Sequence, residues 1–280
     1  MVQIQLSRQQ DRTIAPARPA VRARVPVGQL LPLLSLILFL GGWELLVRLS
    51  DYPAFILPGP ALVGRKLITV ALNGTLWQHF SITLLEVLGG LALGTVMAVV
   101  LGYAIAKSAA IEQALSPYLV ASQAIPVIAI APLLVIWFGP GMLSKIIISA
   151  LIVFFPILVN TIAGVRSVPA DLRDLMRSLN ATRWQTFTRL EVPAALPVLM
   201  AGLKVGATLS VIGAVVGEFA GASAGLGVMI NVADGQYDTA RMFVGVLALV
   251  VMALALYGLA ALLERRLLAW QRAGNRQTPP

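Results

Sequence analysis

Residues 177–197, RSLNATRWQTFTRLEVPAALP, contain three arginines and a glutamate in a chain that is otherwise mostly apolar. Two prolines, Pro193 and Pro197, close the segment where a long apolar run begins. A charged, amphipathic segment between apolar runs is typical of a loop that lies outside a membrane and joins two helices that cross it.

The composition of the whole chain supports a membrane protein. Of its 280 residues, 58% are hydrophobic and 12% are charged, about half the charged fraction of a soluble domain. There is no cysteine, and His79 is the single histidine. We therefore expect no disulfide, no thiolate nucleophile and no metal site. The net charge of +9 would suggest nucleic acid in a soluble protein, but here the positive-inside rule explains it without nucleic acid.

Six apolar runs have lengths near the ~20 residues that a spanning helix needs. The predicted fold is therefore all-α, a polytopic membrane protein with about six transmembrane helices within residues 29–270. Residues 1–28 are polar and basic and predict a disordered tail, and 271–280 predict a second tail. The runs are 29–49, 81–106, 114–137, 143–164, 193–219 and 241–263. Pro126 and Pro132 are expected to interrupt the third run.

The basic residues predict the orientation. With both termini inside, fifteen of them fall in cytoplasmic segments and five outside, with Lys204 left inside a span. This asymmetry predicts a multi-pass protein of the bacterial cytoplasmic membrane, with the loop at 166–192 inside the cell. The five on the outer side are Arg48, Arg65, Lys66, Lys145 and Arg241.

The 166–192 loop is predicted to form two short helices with a break between them. Leu172, Leu175, Met176 and Leu179 form an apolar stripe at helical spacing. Asn180 then suits a helix C-cap, and Thr182 with Gln185 is a capping box for the second helix. One interpretation is a helix lying on the lipid surface. The break, and the lack of a flexible linker before Pro193, favour a docking site for a protein partner.

The spacing in this loop resembles the "EAA" loop of permease subunits of ATP-binding-cassette importers. That pattern is E-A-A, three residues, G, nine residues and I-x-L-P. Here Asp174, Leu175 and Met176 occupy the E-A-A positions, Asn180 the glycine, and residues 190–193, LEVP, the last motif. The acidic residue and the turn-forming residue are kept, while Leu-Met for Ala-Ala implies a roomier, more apolar pocket on the partner.

The resemblance extends over about residues 55–270. PAFILPGP, IPVIAIAPLLVIWFGPG, FFPILVNTIAGVRSV and GEFAGASAGLG are similar to the branch that includes nitrate, sulfonate and taurine importers. Within it, SQAIPVIAIAPLL, RDLMRSLNATRWQ and LKVGATLSVIGAVVGEFAGA resemble members linked to thiamine-precursor pyrimidines and riboflavin. The resemblance implies import of such a solute, with sulfonate, taurine or nitrate as the alternative.

The same resemblance implies an assembly. Two permease copies would pair around one path, two ATPase subunits would dock on the loops, and an external binding protein would deliver the solute. ATP and Mg²⁺ would be held by the ATPase, with no cofactor in this chain. The implied ATPase-coupling residues are Asp174, Leu175, Met176, Leu179, Asn180, Trp184 and Pro193.

Residues 102–108, GYAIAKS, resemble the tail of a phosphate-binding loop but lack the glycine before the lysine and follow an apolar helix instead of a strand. We interpret this as chance similarity, so the chain has no ATP site and no enzymatic activity of its own.

Several features of the spans are further candidates. Gln123, Pro126 and Glu218 are candidates for the substrate path, although Glu218 could instead serve an inter-helix hydrogen bond. Lys204 is expected to extend toward the inner surface. Glycines at four-residue spacing in the fifth span predict close helix packing, and they are Gly202, Gly206, Gly213, Gly217, Gly221 and Gly225.

Two other classes of protein are less consistent with the sequence. A self-sufficient secondary transporter would carry inverted repeats and charge pairs at mid-membrane, and the chain has no clear internal repeat. A membrane enzyme would need a nucleophile with a base, or a metal site, and neither pattern is present.

Overall fold

The computed structural model describes residues 27–50 and 52–270, and every regular element in them is helical. The helices are α1 (Val27–Ser50), α2 (Pro60–Leu72), α3 (Thr75–Ala106), α4 (Ala109–Gln123), α5 (Val127–Phe138), α6 (Met142–Arg166), α7 (Ala170–Ser178), α8 (Arg183–Thr186), a π-helical turn (Phe187–Glu191), α9 (Val192–Gly221), α10 (Leu226–Gly235) and α11 (Thr239–Leu267).

The prediction of an all-α membrane protein is confirmed. Within the described residues, α3, α6, the continuous stretch from α8 through α9, and α11 are long and apolar enough to cross a membrane. The count of six spans stays a prediction. The predicted tails at 1–28 and 271–280 lie outside the described residues, except that Val27 and Gly28 already belong to α1.

The third apolar run is broken where its proline predicted a break. It forms α4 and α5, whose axes differ in direction by 91°. Pro126 is the N-cap of α5, while Pro132 lies inside α5 without ending it. Proline has no N–H to donate and its ring crowds the preceding turn, so the bend falls at residues 124–126.

The core is formed by α3 and α9 packed along the two sides of α6. Glycines make this packing close: a methyl group on Gly213 would lie 2.5 Å from Cα of Ser149, and one on Gly94 would lie 2.7 Å from the carbonyl oxygen of Ala150. The close packing predicted for the fifth span is therefore present, and it is made against α6. Small residues allow helix backbones to approach in this way.

The last helix packs against α9 and α10. Lys204 of α9, which was expected to extend toward the inner surface, donates its ammonium to Oε2 of Glu264 in the last turn of α11 at 2.7 Å. An ion pair between neighbouring helices avoids the cost of an isolated charge in hydrocarbon. This pair also places the end of α11 beside the first half of α9.

Candidate functional site

The first half of the 166–192 loop is α7, which ends in a Schellman motif. The amide of Ala181 donates to the carbonyl of Met176 at 3.0 Å, and the amide of Asn180 to that of Arg177 at 2.9 Å. Asn180 has φ of +50°, a left-handed conformation that asparagine tolerates better than most residues. The predicted helix end at Asn180 is confirmed.

The second half of the loop begins with the predicted capping box. The Thr182 hydroxyl accepts from the amide of Gln185 at 3.2 Å, and the Gln185 side chain accepts from the amide of Thr182 at 2.8 Å. From Arg183 the chain is helical without interruption to Gly221. The absence of a flexible linker between this loop and α9, expected from the sequence, is thus observed.

A π-helical turn connects α8 to α9, and the sequence did not predict it. The amide of Val192 donates to the carbonyl of Phe187, five residues earlier, directly before Pro193. A proline ring crowds the carbonyl four residues before it. The wider turn directly precedes Pro193, and the helix continues past that proline.

The loop exposes apolar side chains although its surroundings are charged. Leu175, Leu179 and Trp184 are 53%, 68% and 70% exposed. Met176 is half-buried, and Asp174 forms an exposed ion pair with Arg177 at 3.1 Å. Exposed apolar groups on a polar segment mark a contact surface. We call Leu175, Leu179 and Trp184 the exposed loop face.

Polar contacts attach the loop and its neighbouring helix ends to one another. Arg173 of α7 donates to the carbonyl of Val165 on α6 at 2.8 Å. Arg166, at the end of α6, is paired with Glu112 of α4. Glu191 of the π-helical turn is buried and contacts the end of α3. The loop is therefore held against the ends of α3 and α6.

A cavity of about 700 Å³ lies beside these attachments. Aromatic and aliphatic side chains form most of its wall, and Arg183 and Glu191 are its charged residues. The lining residues are Val99, Val100, Tyr103, Thr161, Val165, Arg183, Trp184, Phe187, Glu191, Val192, Ala195 and Leu199.

The structure places Glu218 in a buried hydrogen-bond network near the other end of α9. Its carboxylate accepts from the Thr83 hydroxyl of α3 at 2.6 Å and from the amide of Gly227. The Thr83 hydroxyl in turn accepts from the amide of Leu226 at 2.7 Å. Glu218 thus makes an inter-helix hydrogen bond, and its role in the substrate path stays a prediction.

Two more ionisable groups lie beside this network. Glu86 of α3 is 2% exposed and interacts with Glu218. Lys145 of α6, which was counted among the basic residues on the outer side of the membrane, is 1% exposed. Its ammonium donates to the carbonyls of Pro140 and of Gly221, the latter at 2.6 Å. Its position in the sequence did not show that this lysine joins the start of α6 to the end of α9 by hydrogen bonds.

Gln123 and Pro126, the other two path candidates, lie together at the bend between α4 and α5. Both are exposed, and the Gln123 side chain donates to the carbonyl of Leu119 at 3.2 Å. They are separate from the Glu218 network, so the structure does not gather the three candidates into one site. Their role in the path also stays a prediction.

Comparison with known proteins identifies the family. The sequence profile described as "binding-protein-dependent transport system inner membrane component" matches residues 90–269, which include the whole 166–192 loop. The chain belongs to this family. It is a multi-pass inner-membrane permease of an ATP-binding-cassette importer, as the loop spacing predicted.

Three relatives cover most of the permease. It is 48% identical to a riboflavin transport system permease protein of Chloroflexus aurantiacus, over 85% of this chain and 88% of the relative. It is 35% identical to a formylaminopyrimidine transport permease protein of Halalkalibacterium halodurans, over 86% of this chain and 96% of the relative. It is 32% identical to the taurine transport system permease protein of Escherichia coli, over 84% of this chain and 88% of the relative.

The fold of the permease is also found among solved structures. The MetNI methionine ABC transporter in an inward-facing conformation aligns with a TM-score of 0.57. The alignment covers 69% of this chain and 94% of the other, at 19% sequence identity. This similarity supports the fold.

Proposed function

We propose that this permease imports a heteroaromatic vitamin or vitamin precursor, of the flavin or thiamine-pyrimidine type. The observation that carries the proposal is the 48% identity to the riboflavin permease, which is well above the 32% identity to the taurine permease. The formylaminopyrimidine permease, at 35%, points to the same chemical class, a flat nitrogen heterocycle.

Import of a sulfonate, taurine or nitrate is the second candidate. It rests on the taurine relative, which covers a similar share of the chain. Lys145 and Lys204, the two lysines within the described membrane helices, offer little to favour such anions, because they are engaged with carbonyls and with Glu264. A sulfonate would need free donors or cations along the path.

Growth of auxotrophs tests the substrate. A riboflavin auxotroph and a thiamine auxotroph supplied with a limiting precursor should each be compared with and without this permease, its ATPase and its binding protein. We expect the complete system to lower the concentration that supports growth in at least one strain. Unchanged growth in both, together with better growth on taurine as sulfur source, would favour the second candidate.

The proposed assembly contains two copies of this permease, two ATPase subunits and an external binding protein. ATP and Mg²⁺ are bound by the ATPase subunits, and this chain contributes no ATP site and no cofactor. The exposed loop face supports an ATPase contact, because Leu175, Leu179 and Trp184 project from an otherwise charged loop. In this assembly Asp174 and Asn180 fix the position of the loop, and Met176 and Pro193 support its shape.

We place the 166–192 loop and both termini in the cytoplasm. The ion pair between Lys204 and Glu264 sets the end of α11 at the same side as the loop. The ends of α3 and α6 lie on that side too, because α3 contacts Glu191 of the loop and the carbonyl of Val165 on α6 accepts from α7. Positive charge therefore accumulates at one end of the bundle, which supports a cytoplasmic location. The basic residues at that end are Lys107, Arg166, Arg173, Arg177, Arg183, Arg189, Arg265 and Arg266.

A further inference from the structure

The π-helical turn of the loop and the last turn of α3 are joined by a compact set of polar contacts. The Glu191 carboxylate accepts from the Tyr103 hydroxyl at 2.8 Å and from the Lys107 ammonium at 2.5 Å. The same ammonium lies 5.2 Å from the centre of the Tyr103 ring. Both oxygens of Glu191 are therefore committed to α3, which is 84 or more residues distant in sequence.

Burial makes these contacts hard to replace by water. The Glu191 side chain is 3% exposed, whereas that of Lys107 is 46% exposed and carries the charge to the surface. Burial lowers the pKa of the Lys107 ammonium, but the hydrogen bonds and charge of its neighbours, Glu191 foremost, raise it more, and the net shift is upward. The Lys107 ammonium therefore stays charged across the neutral pH range, and removing it would leave the buried Glu191 carboxylate without its counter-charge.

Aromatic rings extend the contact toward the exposed loop face. The Tyr103 ring meets that of Phe187 edge-on, with centroids 5.1 Å apart. Phe187 in turn lies 5.5 Å from Trp184, which is exposed in α8. A continuous path of touching groups thus leads from the surface of the loop to the end of α3.

The shape of the turn makes this arrangement possible. Phe187 and Glu191 are the first and last residues of the π-helical turn, and both face α3. Such single wide turns occur frequently at functional positions. The adjoining 700 Å³ cavity leaves much of the neighbouring surface unpacked, so the polar contact is a principal link between the loop and α3.

We infer that Glu191, with Tyr103 and Lys107, forms a latch that transmits movement of the 166–192 loop to α3. The inference rests on the proposed docking of an ATPase on this loop. Helix α3 has 32 residues and no internal proline, so a displacement at its loop end is carried along a rod of about 48 Å to the other side of the membrane. These are positioning residues that touch neither ATP nor substrate.

The test separates docking from transmission. Because the chain has no cysteine, a spin label can be placed on Trp77→Cys, which replaces an exposed residue in the first turn of α3. The signal is the change in the label's spectrum when the full complex with the ATPase is trapped with ATP and vanadate. ATPase co-purification is measured on every variant at equal membrane expression.

We expect Glu191→Gln to leave ATPase co-purification unchanged and to make the ATP-dependent change at the label about tenfold smaller. The double variant with the charges exchanged, Lys107→Glu with Glu191→Lys, should recover most of the ATP-dependent change in the label's spectrum. The matched control is Glu264→Gln, which breaks the ion pair between α9 and α11 and involves neither α3 nor residues 166–192, so it should leave the signal intact.

Two results would overturn the latch. One is a full ATP-dependent signal in Glu191→Gln. The other is a signal that falls only in proportion to lost ATPase binding, because Glu191 would then merely shape the docking surface. If the unaltered chain does not bind the ATPase, the proposed docking fails first, and the latch fails with it.

Discussion

Thr83 illustrates how one hydroxyl group joins three parts of the permease. It lies on α3, donates to Glu218 of α9 at 2.6 Å and accepts from the amide of Leu226 at the start of α10 at 2.7 Å. The connection between α9 and α10 is therefore fastened to α3 through buried polar groups. A buried donor or acceptor that loses its partner costs about 1–3 kcal/mol.

At the residue scale we predict that Thr83→Val destabilises the permease by about 1–3 kcal/mol, because it leaves the Leu226 amide without an acceptor and removes one of the donors to the Glu218 carboxylate. Thermal unfolding of the purified protein in detergent measures the effect. Thr95→Val is the matched control, since the Thr95 hydroxyl has no hydrogen-bond partner among the described residues. A loss of stability in the control as large as that in Thr83→Val would contradict this interpretation.

At the element scale, the end of α7 depends on a left-handed residue. We predict that Asn180→Gly retains ATPase binding, because glycine adopts a φ of +50° without steric cost. Asn180→Val should weaken it, because forcing a β-branched residue into this conformation costs about 1–2 kcal/mol. Titration of each detergent-solubilised variant with the ATPase gives the affinities. Equal affinity for both variants would show that the Schellman end does not set the docking geometry.

The same elements show what the sequence could predict. The helix end at Asn180, the capping box at Thr182 and the break at Pro126 were all predicted, because each depends on residues within five positions of one another. The EAA-like spacing likewise predicted the family. These features are local, so propensity and spacing are sufficient to locate them.

The partners of ionisable groups depend on distant residues, and the sequence did not predict which residues they are. The contacts of Glu191 with Tyr103 and of Glu218 with Thr83 join residues 88 and 135 positions apart. Glu264, the partner of Lys204, is likewise 60 residues away from it in sequence. A single sequence does not indicate which ionisable groups a helix bundle brings together, so such pairs appear only with the fold.

At the scale of the whole molecule, orientation is directly testable because the chain has no cysteine. A cysteine introduced as Ser178→Cys lies in the 166–192 loop and should not react with a membrane-impermeant thiol reagent in intact cells. It should react in inverted vesicles. Tyr237→Cys is the opposite control: this residue is 77% exposed between α10 and α11 and should react from outside. Labelling of Ser178→Cys in intact cells would reverse the proposed topology.

We propose that an ATPase binds the exposed loop face and drives the permease through it. The most direct measurement is co-purification of the ATPase with the double variant Leu175→Asp, Leu179→Asp at equal membrane expression. Burying each leucine in a partner is worth about 1.5–3 kcal/mol, so losing both should weaken docking about a hundredfold or more. Because both side chains are exposed, the variant should still fold and insert. Tyr237→Asp, an exposed substitution at the other end of the bundle, should bind the ATPase normally. Full ATPase binding by the double variant would contradict the account.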